Sequence, residues 1–220
     1  MDEMTPRPRS PLAELVLAAQ TSAPDDGARV TVRSLPFAGY VAIRGKPDDE
    51  RFLSTVRALL EFDLPGYGEV VENEGYRAFW LAPDHWLVVC GDGEGPALTE
   101  RLQQAFDGVF AAAIDVSGAR SRLRLSGDAA ADLLATGCKL DLDPQVFLPG
   151  QCLQAPLGNV TAVMHCVENA PPTYDLYVAR SQAMSFWKWL EHAGAEFGMK
   201  SVTLSLIHIS EPTRHSSSAY

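Results

Sequence analysis

At 220 residues with 46% hydrophobic side chains, the chain can bury a sizeable core as one large domain or two small ones. A formal charge of −10 argues against nucleic acid as a partner, because phosphate binding needs lysine and arginine gathered on one surface, and no run approaches the ~20 apolar residues of a membrane span. Four scattered cysteines are too few for a disulfide scaffold and the polar opening lacks the apolar centre of a secretory signal, so the expectation is a cytoplasmic protein with reduced thiols.

Residues 1–11 read as a mobile N-terminus. Pro11 then suits a first helical position, and Leu12, Leu15, Val16 and Ala19 form an apolar stripe. After the turn at Asp25, Asp26 and Gly27, residues 30–35 and 40–44 read as strands. Pro47 and the acids Asp48, Asp49 and Glu50 open a helix whose Phe52, Val56, Leu59 and Leu60 recur at helical spacing. Strands follow over 69–72, 76–81 and 85–90, with Pro83-Asp84 as a hairpin turn. Pro96 opens a second helix with Leu98, Leu102, Ala105 and Phe106 on one side.

From Val109 the pattern repeats. Residues 40–45 and the helix after them correspond to 121–127 and a second helix; the 78–90 hairpin and its helix correspond to strands 161–166 and 174–179 and a helix over 181–193. The predicted fold class is therefore α+β: two pseudo-repeated halves of antiparallel strands packed with helices, about 29–108 and 109–198, within one domain spanning 12–200 and sharing one core. The tail 201–220 reads as non-native and disordered, since residues 205–215 look like a translated sequencing-adapter read-through.

Residues 114–154 carry the strongest local pattern. Ser121, Leu123 and Leu125 alternate with Arg120, Arg122 and Arg124, so one sheet face is mostly apolar and the other holds three guanidinium groups. Like charges on one face cost stability unless acids or a partner meet them, which leaves two readings open: an internal acid, or a partner interface at Arg120, Arg122 and Arg124. Gly127 breaks the strand, Asp128 can cap a short helix with Ala130, Leu133 and Leu134 inward, and Gly137 supplies a left-handed stop. Met184, Phe186, Trp187 and Trp189 cannot all point one way, so part of this aromatic group is expected in the core and part in a contact patch.

Other candidate chemistry reads as structural. Cys138, Cys152 and Cys166 with His165 lack the paired spacing of a zinc site or a redox dithiol, Cys90 stands apart from them, and neighbours on a strand such as His165 and Cys166 point to opposite faces. Asp141 and Asp143 fit a turn before Pro144 better than an acid–base pair. The Gly91-Asp92-Gly93-Glu94-Gly95 loop carries two acids that would repel phosphate and reads as a flexible connection, and His85 as a hairpin histidine.

Ser126-Gly127-Asp128, Gly137-Cys138-Lys139-Leu140-Asp141-Leu142-Asp143-Pro144, Phe147-Leu148-Pro149-Gly150 and Cys152-Leu153-Gln154 together resemble motifs of the sarcosine oxidase gamma subunit family, with Asp143 and Leu148 standing where the family carries histidine and proline. The likeness runs from Ser10-Pro11-Leu12 to about Gly198 and includes residues 81–87 and 175–181. It implies a fold similar to the folate-binding module of aminomethyltransferases, and a gamma subunit without its own catalytic centre. The assembly it implies is a heterotetrameric sarcosine oxidase that oxidatively demethylates sarcosine to glycine, passes the one-carbon unit to tetrahydrofolate and forms hydrogen peroxide. FAD, FMN, NAD and tetrahydrofolate would sit on partner subunits, with none bound by this chain; the partners would be alpha, beta and delta, chiefly alpha. An aminomethyltransferase needs an acid near the folate nitrogen, and the nearest here, Glu72 and Glu74, do not match that position. Two alternatives stand beside this reading: a subunit of a related complex such as N-methylglutamate dehydrogenase, and a free-standing folate-binding protein.

Overall fold

The computed structural model describes residues 28–201. The helix predicted over 12–19, the segment 1–11 and the tail from residue 202 onward lie outside the described residues. Eleven strands and four helices follow in the order β1 (Val30–Ser34), β2 (Gly39–Gly45), α1 (Glu50–Leu60), β3 (Val70–Glu72), β4 (Arg77–Ala82), β5 (His85–Cys90), α2 (Gly95–Ala105), β6 (Ala111–Asp115), β7 (Arg120–Ser126), α3 (Ala130–Ala135), β8 (Cys152–Leu157), β9 (Val160–Asn169), β10 (Pro172–Ala179), α4 (Ala183–Gly194) and β11 (Met199–Ser201).

The strands form two sheets, one ordered β11-β1-β7-β10-β9-β8 and the other β3-β4-β5-β2-β6. Read from their β8 and β3 edges, both run third, fourth, fifth, second strand of their own half. The next strand in each is exchanged: β1, which opens the first half, pairs with β7, and β6, which opens the second, pairs with β2. Neither half completes its sheet alone. This exchange, which strand periodicity cannot reveal, joins the two α+β halves into one unit.

Alternation along the strands sorts the core into three clusters. Phe52, Val56 and Leu60 of α1, with Leu98 and Leu102 of α2, cover one face of the smaller sheet against Val41, Ile43 and Val88. Leu133 and Leu134 of α3, with Phe186, Trp187 and Leu190 of α4, cover the larger sheet against Leu123, Leu125 and Leu176. Between the sheets lies a third cluster that includes Tyr40, Phe79 and Leu87 from one and Cys152, Val163 and Tyr177 from the other. The layers therefore run helix, sheet, sheet, helix.

Helix ends follow local chemistry. Asp49 caps α1 by accepting the backbone N–H groups of Arg51 and Phe52 at 3.0 and 3.3 Å, and Glu61 turns left-handed to end it. α3 departs from expectation at both ends: its N-cap is Ala129, without a side-chain cap from Asp128, and it ends at Thr136 in right-handed geometry. Gly137 meets a requirement of space instead, because a Cβ there would run into the Trp189 ring, as would one at Gly158. Of the α4 aromatics, Phe186 and Trp187 are buried and Trp189 packs on the same cluster, whereas Met184 is exposed.

Candidate functional site: the arginine face of β7

The strand β7 alternates as the sequence suggests, with Ser121, Leu123 and Leu125 buried and Arg120, Arg122 and Arg124 half-buried on the side that faces the other sheet. In register across the sheet, Arg124 stands opposite Arg33 of β1 on one side and Asp175 of β10 on the other, and Asp175 stands opposite His165 of β9. Arg124 donates to both carboxylate oxygens of the fully buried Asp175, from Nε at 2.6 Å and from an Nη at 2.9 Å. This two-point geometry raises the Arg124 guanidinium above its ordinary value. Arg77 of β4 reaches the same carboxylate at 3.7 Å and also pairs with Glu72 at 2.5 Å. Asp175 thus links the two sheets through Arg77 and is held within its own sheet by Arg124. For Arg124, the internal-acid reading holds.

Its neighbours are held differently. An Nη of Arg122 donates to the Pro36 carbonyl at 3.3 Å and its guanidinium lies 5.9 Å from the Tyr177 ring centroid, while its Nε is buried without a hydrogen-bond partner. Burial pulls the Arg120 guanidinium down, opposed by the nearby Tyr40. Burial also pushes the Tyr40 hydroxyl up to about 12. Among the described residues neither Arg120 nor Arg122 makes an ion pair with an acid.

Asp175 is the one buried acid among the described residues. Sequence reasoning passed over it, although a lone acid inside the apolar run Tyr174-Asp175-Leu176-Tyr177-Val178 was a usable signal that an opposite charge waits on a neighbouring strand. His165 lies between the sheets, with Phe79 at 5.6 Å between ring centroids, while Cys166 sits in the outer cluster, so the two point to opposite faces. Its Nδ1 is buried without a partner, and burial brings the imidazole down to about 4.

The remaining candidates lie in the core, in turns and in loops. All four cysteines are free and buried, and no group of three or more potential ligands that could hold a metal is present among the described residues. Asp141 and Asp143 accept the N–H groups of Asp143 and Gln145 at 3.0 and 2.8 Å, as turn residues do. In the 91–95 loop the Glu94 carboxylate accepts the Gly91 N–H at 3.0 Å, placing a negative charge where a phosphate would have to sit. His85 is half-buried, and burial with the Arg44 charge lowers it. Glu72 is held by Arg77, and Glu74 is exposed. No helix among the described residues is long and apolar enough to cross a membrane.

The layer between the sheets is packed, with Phe79 and Tyr177 at 5.0 Å between ring centroids, and its acid, Asp175, is bound to two arginines. A separate depression of ≈ 510 Å³ lies where residues 67–69 of the first half meet residues 140–153 of the second, with Glu69 and Asp141 in its lining.

Comparison with known proteins matches residues 44–196 to the model of the sarcosine oxidase, gamma subunit family. The chain is 34% identical to the sarcosine oxidase subunit gamma of Arthrobacter sp. over 164 residues, covering 74% of this chain and 78% of the relative. It is 31% identical to that of Corynebacterium sp. (strain U-96) over 166 residues, covering 74% and 80%. A chain of the heterotetrameric sarcosine oxidase from Corynebacterium sp. U-96, solved in complex with pyrrole 2-carboxylate, superposes with a TM-score of 0.76 at 28% identity, over 89% of this chain and 98% of that one. The glycine cleavage system aminomethyltransferase T from Bartonella henselae shares the fold, with a TM-score of 0.55 at 19% identity over 86% of this chain and 51% of that one.

Proposed function

The chain belongs to the sarcosine oxidase gamma subunit family, and from that premise we propose that it is the gamma subunit of a heterotetrameric sarcosine oxidase, acting in assembly and carrying no reactive centre. The assembly would demethylate sarcosine oxidatively to glycine, pass the one-carbon unit to tetrahydrofolate and form hydrogen peroxide. FAD, FMN, NAD and the folate would be held by the alpha, beta and delta subunits, and the principal contact of this chain would be with alpha.

The observation that carries the reading is the filled layer between the sheets. Phe79, Val163 and Tyr177 pack the layer between the sheets, and the acid there, Asp175, is committed to Arg124 and Arg77. What remains is a folded scaffold with charged and apolar surface to offer a partner.

Co-expression of the full chain with the other subunits tests this. The expected result is co-purification in one complex, with sarcosine-dependent peroxide formation that falls when the chain is omitted. Calorimetry of the lone chain with tetrahydrofolate is expected to give no heat of binding; tight binding would overturn the proposal in favour of a folate protein.

A further inference from the structure

The inner surface of the larger sheet is not uniform. The cluster between the sheets draws its residues on this sheet from β8, β9 and β10, whereas β7 and β1 turn arginines to the same side, with Arg122 at the cluster's margin over Tyr177. This half-buried margin carries Arg120, Arg122 and Arg124 from β7 and Arg33 from β1, with Arg33 and Arg124 directly opposite in register. Like charges placed side by side on adjacent strands repel. Asp175 answers Arg124, and shares itself with Arg77. Arg33, Arg120 and Arg122 have no ion pair among the described residues, although Glu168 lines the same shallow depression of ≈ 300 Å³ as Arg33 and Arg124.

Two features point outward. Arg122 spends an Nη donor on the neutral Pro36 carbonyl at 3.3 Å and meets no acid among the described residues, so its charge is left for an anion to answer. The positive face also stands against the sign of the whole chain, whose formal charge is −10, so it would select and orient a negatively charged surface. The planar fork of arginine suits carboxylates, and Arg120 and Arg122, two residues apart, present their side chains ~7 Å apart, the spacing of alternate residues on an extended segment.

We propose that Arg33, Arg120 and Arg122 form a docking face for an extended segment of a partner subunit that carries aspartate or glutamate at alternate positions, with Arg124 held back by Asp175 as the rigid support of the row. This rests on the assembly role above, and narrows it to one surface and one partner chemistry.

The test uses the full chain co-expressed with its partner subunits. The wild-type chain is expected to enter the complex, with an affinity that falls as salt rises and with displacement by an oligoglutamate peptide. The Arg120→Glu/Arg122→Glu variant is expected to bind about a hundredfold more weakly with a flattened salt dependence, while Arg120→Lys/Arg122→Lys keeps binding within about tenfold. Thermal unfolding of each variant, and the peptide competition on unaltered protein, separate lost docking from lost folding. Unchanged affinity in the reversed variant, or no displacement by oligoglutamate, would overturn the docking face and leave the assembly role standing. Failure of the wild-type chain to enter the complex would remove both. If the peptide binds only after deletion of residues 1–27, the occupant is this chain's own Asp25 and Asp26, and the proposal falls.

Discussion

Arg124 and Asp175 sit opposite each other on β7 and β10, and their side chains close a two-point ion pair at 2.6 and 2.9 Å whose carboxylate is fully buried. Arg77 leans on the same carboxylate from the other sheet at 3.7 Å. Removing the acid leaves Arg124 without an acid and Arg77 with Glu72 alone, whereas removing Arg124 leaves the acid with Arg77. Asp175→Leu is therefore expected to destabilise by about 3–5 kcal/mol, and Arg124→Met by less. Urea unfolding of the two variants checks the order; equal losses would mean that Arg77 contributes nothing across the sheets.

Trp189 rests on two glycines that the chain brings together from distant turns. The Gly158 N–H donates to the Gly137 carbonyl at 2.9 Å, and a Cβ at either position would enter the indole ring. Gly158 is also left-handed, at φ +59°, which adds strain for any other residue. Gly137→Ala is expected to cost about 1–3 kcal/mol by overpacking, and measurably less in a Trp189→Ala background, where the ring is gone but the Gly158 backbone nitrogen would still lie 2.7 Å from the new Cβ. A double-mutant cycle by chemical unfolding measures the coupling.

What the sequence made legible was local. The 2-residue alternation of β7 and the helical recurrence of Phe52, Val56 and Leu60 located those elements within a residue or two, and the turn at Pro83-Asp84 fell between β4 and β5 as read. β8 was missed because Leu153, Ala155 and Leu157 alternate with Gln154 and Pro156, and the proline argues against an interior strand; β8 is an edge, where proline is tolerated. Gly137 was assigned a left-handed stop because glycine after an apolar helix usually means that, yet its small size serves Trp189, fifty-two positions along, a contact no local rule contains. The exchange of β1 and β6 is invisible for the same reason: pairing partners are a property of the folded whole. The arginine row was readable from alternation; the acid that neutralises one member of it lies on another strand.

His165 makes stability depend on pH over a defined window. The groups around it are Arg77 and Arg124, which oppose its charging, and Asp175 and Glu72, which favour it; burial outweighs them all and brings it down to about 4. In the unfolded chain it takes up a proton near pH ~6.5. Between these values the unfolded state binds a proton that the folded state does not, so stability falls as pH drops from about 6.5 to about 4, by up to about 3 kcal/mol, and is full above that window. His165→Phe keeps a ring against Phe79 and removes the titration. The difference between wild-type and variant unfolding free energies, measured across the window, is expected to shrink steadily toward acid; a flat difference would show that the imidazole does not titrate there.

Burial also sets the reactivity of the cysteines. The thiols of Cys90, Cys152 and Cys166 are each pushed up to about 11, so at neutral pH roughly one in ten thousand is ionised and open to alkylation. Cys152 donates to the Glu69 carbonyl at 3.2 Å and lies in the layer between the sheets, where access requires the two sheets to part. Parting them strips the apolar layer that both sheets share, Phe79 and Tyr177 included, so it carries the loss of that core. Cys138 instead follows the six-residue α3, which can fray by itself. Pulse labelling along a urea series, read by peptide mass, is therefore expected to modify Cys138 before the main transition and Cys152 only within it. Labelling of Cys152 ahead of global unfolding would mean that the two sheets part before either one unfolds.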